Sequence, residues 1–338
     1  MSESPRGLDY ASLPALAASR RQSEALLHSL SPRLAEALAG SDAVLTVAAA
    51  GSLGRLEIGP GSDLDGIVVV DERCEPGLGG ALLDRVYAAL GDSPLRLPKT
   101  AGIFRSPITP AALCAPAARG ALDEPPAVFG KRIQFLLDTR PLHGARAYST
   151  LQARILEWYA GPGPATRRDA QCSLLINDLQ RYRHAYAAWQ RHKFERSTDD
   201  GWYLRQAKLR ASRALTFAGL LLLLGASSRR EDKLDWLQAR LALTPLERVH
   251  AVMGEHDPRG FHRLAVAYDR VHALLADPLV RGELVGASPL SPETVPACHP
   301  PAYQEIHDLS GDILRRLSRF VLERRDEWHP DFFAELTL

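Results

Sequence analysis

The sequence predicts an α/β (α+β) domain with a mixed sheet over residues 1–160, followed by an all-α helical domain over residues 165–338. Three observations carry this. Two short apolar runs, VLTVAAAG and GIVVV, flank a small-residue turn and an acidic pair. The stretch GPGPATRR, 161–168, sets two prolines and two glycines side by side and stops any regular element. From about residue 169 onward the apolar spacing becomes almost wholly helical.

The totals bound the function. A chain of 338 residues can bury two cores of ordinary size. With 46% hydrophobic and 24% charged residues it reads as a soluble globular protein. A formal charge of +1 argues against a protein that coats nucleic acid or adheres to a membrane, so any charge-based function is local. Cys74, Cys114, Cys172 and Cys298 are spread singly, without metal or disulfide spacing, which fits a reducing cytoplasm. The polar start MSESPRGLDY lacks the apolar core of a signal peptide. The run Ala214 to Ala226, interrupted by Thr216, is too short for a membrane span and reads as a buried helix. The expectation is a cytoplasmic protein with no membrane partner.

Along the chain, residues 14–39 carry helical apolar spacing, and Pro32 predicts a break into two helices. VLTVAAAG is a strand ending in the Gly51-Ser52 turn, and GIVVV a second strand following Asp63 and Asp65. A helix is expected over 80–90, an irregular third strand with a glycine loop over 94–108, and a helix from Phe129 to Arg140. Helices follow at 170–194, 202–224, 231–242, 260–276 and 303–325, with a Pro-rich connection at 289–301.

The chemistry concentrates at the acidic pair. Alternation along a strand puts Asp63 and Asp65 on one side, with Cβ atoms roughly 6.5–7 Å apart, and turns Leu64 into the core. Two like charges held so close repel unless a cation lies between them. Mg2+ takes few carboxylates plus phosphate oxygens and water, so the pair suits a metal–nucleotide complex. Gly51 permits close backbone approach, exposed N–H groups and the Ser52 hydroxyl can hold phosphate oxygens, and Arg55 with the backbone around Gly54 extends that cradle. A phosphate grip on one strand end beside a metal grip on the next is what in-line phosphoryl or nucleotidyl transfer requires.

The string GSLGRLEIGPGSDLDGIVVV, a G-S turn followed after ten residues by D-L-D between apolar strands, resembles the signature of the DNA polymerase beta-type nucleotidyltransferase superfamily. It looks most like the bacterial PII uridylyltransferases and the uncharacterised nucleotidyltransferases related to them. The direct resemblance covers about 25 residues; FGKRIQFLLDTRPLHG, NDLQRYRHAY and RQAKLRASRALTFAGLL resemble the helical companion region more weakly. It implies a nucleotidyltransferase domain in which Gly51 and Ser52 contact an NTP and Asp63 and Asp65 bind Mg2+. Ser62, which opens the S-D-x-D motif, joins the nucleotide-binding candidates. Many superfamily members carry a third carboxylate on a later strand, whereas residues 93–109 contain no acid; Asp92 and Glu57 are the available substitutes. The implied reaction moves a nucleoside monophosphate from an NTP to a hydroxyl of a protein or small molecule and releases pyrophosphate. A catalytically silent nucleotide-binding regulator and an oligonucleotide synthase are the alternatives. Without a large basic surface, a nucleic-acid acceptor is not favoured.

In the second domain, nine Lys or Arg residues and three acids fall between 181 and 213, interleaved with Tyr182, Tyr186, Trp189, Trp202 and Tyr203. Such runs are commonly solvated faces. At 100° per residue Arg205, Lys208 and Ser212 nevertheless share one helix face, which makes Arg205 and Lys208 candidate triphosphate ligands. Asn177, Asp178 and Arg181 are similarly spaced, with Asp178 available for a structural ion pair. His250, His256 and His262 share no face and read as surface or capping residues, and Trp236, Trp328, Phe332 and Phe333 as packing anchors.

Overall fold

The computed structural model describes residues 7–98, 102–161, 172–196, 201–287 and 299–337. The protein is mixed α+β and mostly helical, with one small antiparallel sheet of three strands among the described residues. These are β1 (Val44–Ala49), β2 (Gly66–Val70) and β3 (Arg140–His143), in the order β2-β1-β3. Pairing runs Val47↔Val68 and Ala49↔Gly66 on one side of β1, and Ala49↔Arg140 on the other.

β1, the central strand, is buried at all but Leu45, and β2, which ends the order, is buried at every residue because the chain bridged to its outer side covers it. One sheet face packs on Leu30, Leu34 and Leu38 from the helix Pro14–Ala37 and on Leu82, Leu83, Val86 and Leu90 from the helix Pro76–Leu90. The i, i+4, i+8 spacing of the three leucines makes one stripe, each worth roughly 1.5–3 kcal/mol on full burial. That stripe explains why the break expected at Pro32 is absent and Pro14–Ala37 is one continuous helix. Pro32 removes the bond to the carbonyl of His28, an exposed residue, so water can satisfy that group while Leu30 and Leu34, both fully buried, hold the turns on either side.

The outer edge of β2 carries the irregular strand expected over 94–108 in reduced form. It consists of two isolated parallel bridges, Asp63↔Arg96 and Val69↔Ile108, with a 3-10 turn at Ile103–Arg105 between them and residues 99–101 outside the described residues. Pro94, Pro98 and Pro107 lack the N–H that a continuous ladder needs. The helix expected to reach Arg140 ends at Leu137, because Arg140 opens β3. Pro141 sits within that strand, which a sheet tolerates at an edge.

The chain divides into two compact units. The first comprises Met1–Ala18, Ile176–Ser228 and Pro245–Leu338; the second, which holds the sheet, comprises Ser19–Leu175 and Arg229–Thr244. In the first unit the helical stretch Trp202–Ser227 is by length and composition apolar enough to cross a membrane. Just over half of its most apolar window, 56%, is buried, with Leu215, Leu220 and Leu223 fully so. Trp328 anchors the C-terminal helix of that unit edge-on to Phe332, with ring centroids 5.1 Å apart, and lies 6.2 Å from Phe333. In the second unit Trp236 is covered by the Arg240 guanidinium at 3.9 Å. Cys74, Cys114 and Cys172 are free thiols. Cys298, residues 162–168 of the Gly/Pro stretch and 289–298 of the Pro-rich connection lie outside the described residues.

Candidate active site

The turn after β1 is shaped by two glycines. Ala50 is extended, and its N–H donates to the Asp65 carbonyl at 2.8 Å, tying the end of β1 to the acidic segment. Gly51 then adopts φ +67°, in the left-handed region. A Cβ at Gly51 would lie 3.0 Å from Asp65 Oδ2, so the carboxylate rests over the bare backbone of the turn. Residues Gly51–Gly54 form one helical turn, whose first N–H groups have no intrahelical acceptor. Ser52 is half-buried, and among the described residues its hydroxyl makes no hydrogen bond. Gly54 has no room for a side chain: its Cβ would fall 1.9 Å from the Asp138 carbonyl oxygen. Arg140 Nε donates to the Gly54 carbonyl at 3.0 Å, so β3 fastens the turn from its other side.

Regular β2 begins only at Gly66, yet the expected alternation extends upstream. Leu64 is 1% exposed and belongs to the sheet core, while Asp63 is exposed and Asp65 half-buried. Asp63 Oδ1 is 3.1 Å from Arg96 Nη2, which also donates to the Gly61 carbonyl at 2.7 Å. Ser62 Oγ accepts from the Gly59 N–H at 3.0 Å and closes the 59–62 turn. Its hydroxyl hydrogen is left to donate.

Two residues that sequence reasoning passed over stand beside Asp65. Tyr87 Oη lies 3.3 Å from the Gly66 carbonyl and 3.0 Å from that of Phe104, joining β2 to the chain along its edge. Burial raises the phenol pKa, Arg105 lowers it and Asp65 raises it, so cation and carboxylate act on the same hydroxyl. The Arg105 guanidinium stands 5.0 Å from the Tyr87 ring centroid.

Arg55, expected in the phosphate cradle, is spent inside the protein. Its side chain is 6% exposed, with Nε 2.8 Å from Glu57 Oε2 and Nη1 2.7 Å from Asp138 Oδ2. Leu56 between the partners has φ +62°, costing a non-glycine residue on the order of 1–2 kcal/mol. Glu57 is therefore engaged as an ion-pair partner. The other acid named as a substitute, Asp92, pairs with Arg33 at 2.7 Å on the surface.

The helix Pro126–Leu137 brings further buried charge under this edge. Arg132, 0% exposed, donates through Nη1 to Glu124 Oε1 at 2.6 Å and to the Leu113 carbonyl at 3.1 Å. Lys131, 1% exposed, donates from Nζ to the Ser106 carbonyl at 2.7 Å and is 2.9 Å from Ser106 Oγ. Burial pushes its pKa down to about 8. Below that pH the amine is protonated in the folded and unfolded chains alike, and its burial penalty is fully present. Between pH 8 and the unfolded value near 10.4 the unfolded chain binds the extra proton, so stability rises with pH. Denaturant unfolding from pH 7 to 10 should show this rise in the wild type and not in Lys131→Met; parallel curves would contradict it.

In the first unit, Arg205 and Lys208 lie in the last turn of the helix Trp202–Lys208 and are half-buried. A π turn, Leu209–Arg213, follows, so 100° per residue does not carry on to Ser212, whose hydroxyl donates to the Lys208 carbonyl at 3.2 Å. Asp178 is 3% exposed in an ion pair with Arg181 at 2.9 Å, a structural use. His250 packs against Phe261 with ring centroids 4.8 Å apart and planes tilted by 51°, and burial lowers its pKa.

Among the described residues no group of three or more His, Cys, Asp or Glu is arranged to hold a metal ion. One carboxylate, that of Asp65, lies over the bare backbone of Gly51, and the other, Asp63, pairs with Arg96; such an open arrangement suits an ion that brings phosphate oxygens and water, and does not make a closed protein cage. No model of a known protein family matches the chain, and neither does any curated protein.

Proposed function

We propose that the chain is a Mg2+-dependent nucleotidyltransferase of the DNA polymerase beta type, transferring a nucleoside monophosphate from an NTP to a hydroxyl acceptor with release of pyrophosphate. The observation that carries this reading is the approach of Asp65 Oδ2 to the bare Gly51 backbone, which joins the small-residue turn and the acidic segment. In this reading the N–H groups of Gly51 and Ser52 and the Ser52 hydroxyl bind phosphate oxygens, with Ser62 donating from the neighbouring turn. Asp63 and Asp65 hold Mg2+, which when bound neutralises charge on the triphosphate and on the leaving pyrophosphate. Arg105, which donates through Nε to the Pro98 carbonyl at 3.2 Å, is a further cation on the edge of β2 in the same unit. Arg55 acts by holding the turn's shape.

A second reading, a nucleotide-binding regulator without turnover, draws on one observation: the segment bridged to the free edge of β2 carries no carboxylate. Pyrophosphate release from each of the four NTPs, with and without Mg2+ and in the presence of cell extract as acceptor source, separates the two. Release supports the enzyme; nucleotide binding without release supports the regulator.

The turn can be tested on its own. Ser52→Ala should weaken NTP binding by about 0.5–1.5 kcal/mol, the worth of one hydrogen bond. Gly51→Val should do far more, because a β-branched residue is strained at positive φ and its Cβ would press on Asp65. Equal and negligible effects on affinity in folded protein would move the site elsewhere.

A further inference from the structure

Ser106 and Lys131 form a pair that neither the phosphate turn nor the aspartates require. Ser106 is an exposed, extended residue just after the 3-10 turn Ile103–Arg105. Beneath it Lys131 is 1% exposed, and its ammonium contacts are the Ser106 carbonyl at 2.7 Å and Ser106 Oγ at 2.9 Å. Among the described residues no carboxylate pairs with this amine. A buried cation without a counter-ion is driven toward its neutral form, which keeps two N–H donors and gains a lone pair. Neutral Lys131 can then donate to the Ser106 carbonyl and accept the Ser106 hydroxyl proton, the arrangement that activates a serine nucleophile.

The pair also lies near the acidic segment. Ile108 exchanges backbone bonds with β2, its N–H donating to the Val68 carbonyl at 3.0 Å and its carbonyl accepting from the Val70 N–H at 2.9 Å. Tyr87 Oη spans the carbonyls of Gly66 and Phe104. Ser106 is therefore one strand over from the start of β2 and about two residues along from Asp65, on the order of 8 Å between backbones. A metal-bound triphosphate extends over such a distance.

We propose that Ser106 is itself an acceptor hydroxyl, nucleotidylated within the same chain with Lys131 as the proton acceptor. This rests on the nucleotidyltransferase reading and names an acceptor for it. In the step, Ser106 Oγ forms a bond to the α-phosphorus of the NTP and the bond from that phosphorus to the bridging oxygen breaks. Pyrophosphate leaves with that bonding pair, and the hydroxyl proton passes to Lys131 Nζ. The product is a phosphodiester between Ser106 and the nucleoside.

The test incubates the full chain with Mg2+ and each NTP labelled at the α-phosphorus. Covalent label, intact mass and pyrophosphate are then measured in the same sample. The expected result is one added nucleotidyl mass on the peptide containing Ser106. Label should fall at least 100-fold in Ser106→Ala and at least 10-fold in both Lys131→Met and Lys131→Arg, since arginine retains donors but accepts no proton. Pyrophosphate without label, or label that persists in Ser106→Ala, overturns this proposal and leaves the enzyme reading standing. No pyrophosphate from any NTP overturns both. A second arm needs no nucleotide: Ser106→Cys should react with iodoacetamide at neutral pH at least 10-fold faster than Ser106→Cys combined with Lys131→Met, because a neighbouring ammonium stabilises a thiolate. Cys74, partly exposed, is the internal reference, and equal rates in the two proteins would overturn the activation of this position.

Discussion

Replacing Arg55 by Met is expected to cost about 3–5 kcal/mol of stability, the range for removing one partner of a buried ion pair. The guanidinium is shared by Glu57 and Asp138, both nearly inaccessible, so its loss removes a cation from two buried carboxylates at once. Leu56, between Arg55 and Glu57, sits at positive φ on the path from the Gly51–Gly54 turn to the acidic segment. Denaturant unfolding at neutral pH measures the effect. A variant within about 1 kcal/mol of the wild type would show that the ion pairs contribute no more than a surface pair does.

The second large effect is on turnover. Asp63→Asn together with Asp65→Asn removes both charges at nearly constant volume and should lower Mg2+-dependent NTP turnover at least 10³-fold, or about 4 kcal/mol of barrier. Stability should change little. Asp63 already has a cation in Arg96, and with both side chains more than half exposed that pair contributes about 0–1 kcal/mol. The variant therefore forfeits a small ion pair while relieving repulsion between two carboxylates. Wild-type turnover in the double variant would end the metal assignment.

The elements that sequence patterning exposed are those whose signal is local. VLTVAA and GIVVV are β-branched or small-residue runs buried on both faces, and the Gly51-Ser52 turn and the D-L-D spacing are read directly from residue types. The Leu30/Leu34/Leu38 stripe is equally local, and Pro32 does not interrupt it, since a proline's missing donor costs little where the freed carbonyl meets water. β3 has no such signature. RPLH is four residues long and contains a proline, and it becomes a strand only because β1 offers an edge with Gly54 and Arg140 already in contact.

The polar residues divide by the same logic. Asp63, Asp65, Gly51 and Ser52 stand out because their types are unusual at strand ends. The place of Arg55 in the motif suggests the phosphate side, and nothing local reveals that Asp138, 83 residues away, is its partner. Lys131 and Arg132 are both buried, one on Ser106 and the other on Glu124. Long-range pairing of charge is set by tertiary contacts, and periodicity carries no record of it.

In the proposed function the Gly51-Ser52 turn and the Asp63/Asp65 segment form one metal-dependent triphosphate site. Calorimetric titration of the wild-type chain with each of the four NTPs, with Mg2+ and with chelator, tests this most directly. The prediction is that at least one NTP binds about 10-fold or more tightly with Mg2+ than without it, and that this Mg2+ enhancement vanishes in the Asp63→Asn/Asp65→Asn variant. Binding of no NTP, or binding with the same affinity in chelator as in Mg2+, would contradict it.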